Sequence, residues 1–187
     1  MQTYSFTITA AEQPLLQAML DGQLRPTGVS DHAVLASAQS LPRGPFTLGD
    51  VDGAYTDSPC NLTPTRSLLP ARVAARLVQA LGLTEESRVL VLAAGTGYEA
   101  ALLAPMVASV VACEDDEALQ GALRRNLRDI KNAEALPNGP LRSPASSQPF
   151  THVLVAAPFE VLPSALLQAL PSTIKLAGVR VSESGIP

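Results

Sequence analysis

The sequence predicts an α/β protein built on an open, doubly wound, mostly parallel sheet with helices on both sides. Three observations carry that prediction: strand-length runs that are apolar throughout (RVLVLAA, SVVAC, HVLVA), segments of helical spacing between them, and a glycine turn, Gly95-Thr96-Gly97, directly after the first run. Strands covered on both faces lose the alternation of a half-exposed sheet, and strands that alternate with helices pair in parallel. The chain has 187 residues, 47% apolar and only 16% charged, which excludes a disordered chain and makes one domain the default.

Taken in order, residues 10 to 24 place Leu15, Leu16, Met19 and Leu20 at the three-and-four spacing of an amphipathic helix, with Gly22 where such a helix stops. Ser30-Asp31 reads as the N-cap of a second short helix through Val34, Leu35 and Ala38, ended by Pro42. From Pro42 to Pro64 the chain is dense in Pro, Gly, Asp and Ser without a sustained period, which predicts a long loop. The repeat Val73, Leu77, Val78, Leu81 and the stop at Gly82 predict a helix from Pro70.

The run Arg88 to Ala94 is the first long strand, and YEAALLAPM after the glycine turn is helical. Ser109 to Cys113 is the second, and it ends on the acids Glu114 to Glu117, which open a helix whose Arg124, Arg125 and Arg128 gather at its far end, as the helix dipole favours. Runs at Ala133 to Leu136, His152 to Ala156 and Ile174 to Val181 complete the strands, and PSALLQAL supplies the helix between the last two. Residues 138 to 149 hold too many breakers for a helix, so the connection there is short.

Lys and Arg total 13 against 17 Asp and Glu, a formal charge of −4 with no basic block, which excludes nucleic acid as a partner class. No apolar stretch reaches membrane-spanning length, and the opening MQTYSFTITAAEQP has neither a basic region nor an apolar core. The expected location is therefore the cytoplasm, or the cytoplasmic side of a membrane complex. Cys60 and Cys113 have no metal spacing and read as free thiols, and His32 and His152 have no ligand-spaced companions, so no metal site is expected. Asp57 either faces a substrate site or closes an Asx turn.

In a doubly wound sheet the ligand lies beyond the carboxyl ends of the strands, and the first strand-to-helix turn uses glycine so that backbone can approach it. Gly95, Thr96 and Gly97 occupy that turn, and Glu114 ends the next strand 17 residues after Gly97, where a carboxylate accepts hydrogen bonds from both ribose hydroxyls of a nucleoside. AAGTGYEA lacks the third glycine of a dinucleotide fingerprint, which points away from NAD and towards S-adenosylmethionine, a nucleoside ligand without phosphate.

The segments DGQLRPTGVSD (Asp21 to Asp31), LPRGPF (Leu41 to Phe46), AYTD (Ala54 to Asp57), LLPARVAARLVQALGL (Leu68 to Leu83), RVLVLAAGTGYEAALLA (Arg88 to Ala104) and SVVACEDDEAL resemble, in this order, the protein-L-isoaspartate O-methyltransferases, in particular a divergent bacterial branch. The likeness runs from about residue 10 to residue 170. It implies a Rossmann-like methyltransferase sheet in a domain spanning 70–187 behind a helical N-terminal extension and long loop spanning 1–69. It further implies S-adenosylmethionine bound at Ala93, Gly95, Thr96, Gly97, Glu114 and Asn138, and methyl transfer to the α-carboxylate of isoaspartyl residues in damaged proteins.

The chain departs from the family pattern at several places. Aligning the proline of the family's TISQP-like motif with Pro70 puts Leu68 where the family serine is expected and leaves its neighbour Ser67 as the hydroxyl candidate. Val91 replaces an acid, Ala93 replaces the first glycine of the turn, Asn138 stands for the acid that holds the adenine amine, and the fourth long strand runs into VAAPF (Val155 to Phe159) without a polar residue. The sequence given ends at Pro187, just after the fifth strand of the sheet, so the C-terminal β-hairpin of the family is expected to be lacking and the fifth strand to present an open edge. Two readings result: a degenerate methyltransferase kept as an accessory subunit of a larger assembly, respiratory complexes among the candidates, or an active enzyme acting on isoaspartyl proteins.

Overall fold

The computed structural model describes residues 6–137 and 149–182. Helix α1 (Glu12–Met19) buries Leu16 and Met19, then passes through a π turn (Leu20–Leu24) and a 3-10 turn (Arg25–Thr27). The helical path runs past Gly22 to Gly28, whose φ of +88° makes it the stop. Helix α2 (His32–Ser40) is capped as expected by Asp31, whose carboxylate accepts from the Ala33 and Val34 N–H groups. Gln79 then fastens this arm: its carbonyl accepts from the Ser30 and Asp31 N–H groups at 2.8 and 2.9 Å, and its amide donates to the Gly28 carbonyl at 3.0 Å.

The stretch read from sequence as an unbroken loop is partly ordered. It holds a 3-10 turn (Gly44–Phe46), a single helical turn α3 (Val51–Ala54) and an antiparallel hairpin of β1 (Cys60–Thr63) and β2 (Arg66–Leu68). Strands this short, each carrying a single Leu among polar residues such as Asn, Thr, Arg and Ser, have no hydrophobic period to detect.

Helix α4 (Ala71–Ala80) leads to the sheet of β3 (Arg88–Leu92), β4 (Ser109–Glu114), β5 (Ala133–Pro137), β6 (His152–Val155) and β7 (Lys175–Ala177). The order is β5-β4-β3-β6-β7 and all four pairings are parallel. Helices α5 (Tyr98–Leu103), α6 (Glu117–Leu127) and α7 (Ser164–Ala169) make the crossovers. Alternate residues of the central strands feed two cores. Val89, Val91, Val110, Ala112 and Leu154 join the larger one with Leu16, Leu20, Val34, Ala74, Leu102 and Leu123. Leu90, Val111, Cys113, Val153 and Val155 form the other, against Phe159, Leu162, Leu170 and Ile174. β7 is shorter than the apolar run that predicted it and ends the order of the sheet.

Candidate functional site

β3 and β4 pair in register through Leu92 and Cys113, so the residues that follow each strand meet at the same edge of the sheet. The turn after β3 departs from ordinary backbone at three alternate positions: φ is +51° at Ala93, +56° at Gly95 and +95° at Gly97. Gly97 is required twice over, because a Cβ there would stand 2.8 Å from Leu123 Cδ1 of α6. Thr96 is fully buried; its hydroxyl donates to the Phe46 carbonyl at 2.6 Å and its carbonyl accepts from Asn126 at 2.9 Å. It ties the glycine turn to the 3-10 turn at Gly44–Phe46 and to α6, and its one hydroxyl proton is engaged by the protein.

Glu114 closes β4 with its side chain fully shielded. One carboxylate oxygen accepts from the Gly95 N–H at 2.6 Å; the other accepts from the Asp116 N–H at 2.8 Å and from Arg66 Nε at 3.3 Å. The acid expected to face a ribose is thus held by the glycine turn, its own helix start and the hairpin. Arg66 also pairs with Asp115, and Thr63 donates to Asp116 at 2.9 Å. The hairpin leans on the turn itself, with Leu62 Cδ1 3.3 Å from where a Gly95 Cβ would be. The residue types for a nucleoside site are therefore together, and the protein's own groups engage them.

Leu68 is buried in the core, where a hydroxyl was in question, and the Ser67 hydroxyl bonds to Asn61 at 3.0 Å. Ala156, after β6, is buried and apolar. Asp57 neither closes an Asx turn nor stands free; it pairs with Arg72 on α4 at 2.6 Å. His152 is a buried strand-start residue bonded to Thr151, and burial lowers its pKa. Asn138 lies outside the described residues. Cys60 and Cys113 are buried and free, and burial pushes the Cys113 thiol up to about 12.

Sequence reasoning missed the buried charges behind the turn. Arg43 is 1% exposed; its backbone N–H donates to the Tyr55 hydroxyl, Nε donates to the Ala54 carbonyl at 2.6 Å and Nη2 to the Leu69 carbonyl at 2.8 Å. Its guanidinium carbon lies 4.3 Å from the Tyr98 ring centroid, within cation–π range. Tyr55 donates onward to Glu12, and burial pushes its phenol up to about 12. Glu99, the second residue of α5, is 2% exposed, and burial lifts its carboxyl to about 7 against the pull of its backbone hydrogen bond and of Arg43. Arg43 Nη1 and Glu99 Oε1 have no hydrogen-bond partner.

The model of the protein-L-isoaspartate(D-aspartate) O-methyltransferase family matches residues 16–177. Among curated relatives, a protein-L-isoaspartate O-methyltransferase of Bradyrhizobium sp. (strain ORS 278) is 32% identical over 160 residues, covering 83% of this chain and 74% of the relative. One of Pectobacterium atrosepticum is 30% identical over 151 residues, covering 79% of this chain and 73% of the relative. Among solved structures, a protein-L-isoaspartate O-methyltransferase superposes with TM-score 0.69 at 19% identity over 88% of this chain, which spans 54% of that structure's length. A Plasmodium falciparum protein assigned to the same activity, solved with S-adenosyl-L-homocysteine, superposes with TM-score 0.67 at 19% identity, covering 92% of this chain and 85% of its own. At that identity the structures speak for the fold.

Proposed function

The chain belongs to the protein-L-isoaspartate(D-aspartate) O-methyltransferase family, and from that membership we propose that it is an S-adenosylmethionine-dependent carboxyl methyltransferase acting on isoaspartyl residues of proteins. The observation that carries the reading is the meeting of the left-handed glycine turn with buried Glu114 at the carboxyl ends of β3 and β4, the place where doubly wound sheets take nucleosides. Gly95 to Gly97 would admit the ligand against backbone, Glu114 would accept from the ribose hydroxyls, and Ala93 and Asn138 would complete the adenosine site. When bound, S-adenosylmethionine supplies a methyl group already activated on a sulfonium. The acceptor carboxylate is itself the nucleophile, so the chain need supply no base, and its work is binding and orientation. On this reading the methyltransferase-like domain spans 70–187 behind a helical extension spanning 1–69. Among the described residues no helix is long and apolar enough to cross a membrane; the free buried thiols support a reducing, cytoplasmic setting.

The test is transfer of labelled methyl from S-adenosylmethionine to an isoaspartyl peptide. Base-labile product that the normal aspartyl peptide does not yield, and that falls at least tenfold in Glu114→Gln with the fold intact, is the expected outcome; no product above the aspartyl control overturns the assignment. One observation favours a second reading, an accessory subunit with a spent site: buried Leu68 puts a hydrocarbon where the family serine is expected. Native electrophoresis of the untagged protein from its own cells decides there, since migration as a lone chain removes the accessory role.

A further inference from the structure

We propose that the β1–β2 hairpin is a strap that holds the nucleoside site shut, with Arg66 as its catch; the proposal rests on the cofactor reading above. Glu114 accepts three hydrogen bonds, from Gly95, Asp116 and Arg66, and none of its side chain is exposed. The carboxylate keeps an acceptor site on the oxygen that takes only the Gly95 N–H, but with the side chain fully shielded a ribose hydroxyl reaches it only when one of the covering groups moves aside. The two backbone donors belong to the turn and to the start of α6, so the group free to move is Arg66, which also makes the longest of the three contacts.

The remaining contacts describe the same latch. Arg66 spans Glu114 and Asp115, while Thr63 and Thr65 reach Asp116 at 2.9 and 3.5 Å, so the hairpin grips three consecutive acids. Leu62 covers the glycine where a ligand would approach backbone. Cys60 and Leu68, at the ends of the hairpin, are 4% and 3% exposed and anchored in the core, which confines movement to residues 61–67. That tip is a two-stranded ribbon with an irregular register between Asn61 and Thr63, a structure with little stability of its own. Exchange of the Arg66 Nε–H for a ribose O–H leaves Glu114 satisfied and Arg66 paired with exposed Asp115, so opening strands no buried charge.

Calorimetry with S-adenosyl-L-homocysteine on the full chain tests this, comparing wild type with Arg66→Met and, as a milder release of the same strap, Thr63→Val. Arg66→Met is expected to bind at least fivefold tighter, Thr63→Val tighter by a smaller factor, and amides of 61–67 to exchange faster in wild type once ligand is added. Equal or weaker binding by both variants overturns the strap while wild-type binding keeps the cofactor reading. Absence of heat from all three proteins overturns both. Should Arg66→Met fail to fold, Thr63→Val and Arg66→Lys decide by the same criterion.

Discussion

Glu99 sits in the first turn of α5, where helix electrostatics welcome an acid, and nothing in the sequence sets it apart. The fold instead closes over it, and burial lifts its carboxyl from 4.5 to about 7. A carboxyl raised in the folded state binds its proton more tightly there than in the unfolded chain, so the native state is favoured at low pH. Stability then falls as pH rises from 4.5 to about 7, by up to about 3 kcal/mol. His152, lowered by burial, acts in the opposite sense, so the difference between variants isolates the effect. Glu99→Gln should leave the melting temperature near that of wild type at pH 5 and raise it at pH 8; parallel wild-type and variant curves across that range would refute the assignment. At Ala93 the φ of +51° costs an alanine about 1 kcal/mol that glycine avoids. Ala93→Gly, which restores the family's glycine, should raise the melting temperature by several degrees. Neither buried charge was legible: Arg43 and Glu99 come from segments 56 residues apart, and charged side chains are by default solvated. Arg66 lay hidden for the same reason, since only the hairpin carries it to Glu114.

Elements whose ends are chemically marked were readable, and those made by tertiary contact were not. Asp31 announced α2, and the structure uses it as the cap; Asp31→Ala should cost about 1 kcal/mol in denaturant unfolding. The Gln79 clamp has no sequence signature, because a glutamine in a helix is unremarkable until three backbone groups of another segment come to it. The hairpin escaped for want of apolar alternation, and Gly22, read as a stop, lies inside a π turn. The glycine turn was legible as a turn, yet part of its reason is packing: a Cβ on Gly97 meets α6 at 2.8 Å. Gly97→Ala combines that clash with a φ of +95° and should destabilise by about 2–4 kcal/mol, read as a lower urea midpoint with unchanged slope. A loss below about 0.5 kcal/mol would mean that α6 gives way freely and that the glycine serves ligand approach alone.

At the scale of the molecule, the parallel sheet was legible because strands covered on both faces must be apolar throughout, a demand that no surface residue dilutes. The attachment of the arm was less so, since an amphipathic helix shows which face it buries and not against what. Leu16, Met19, Leu20 and Leu24 of the arm are each at most 1% exposed and share one cluster with Val89 and Val91 of β3 and with Ala100 and Leu102–Leu103 of α5. Buried Ser37 of α2 donates to the Leu102 carbonyl at 2.7 Å, adding a bond that is lost if the arm leaves. An arm that fills the core of the sheet cannot melt first without exposing that core, so extension and sheet should unfold in one cooperative step. Differential scanning calorimetry should show a single transition with equal van't Hoff and calorimetric enthalpies, and amides of 16–24 should exchange with the protection of β3 rather than of a fraying end. Leu20→Ala, which empties a fully buried site, should lower that one transition by the equivalent of about 2–5 kcal/mol. If the variant instead splits the endotherm in two, with the β3 amides still protected after the arm has melted, the arm is a separable cover and the two parts fold on their own terms.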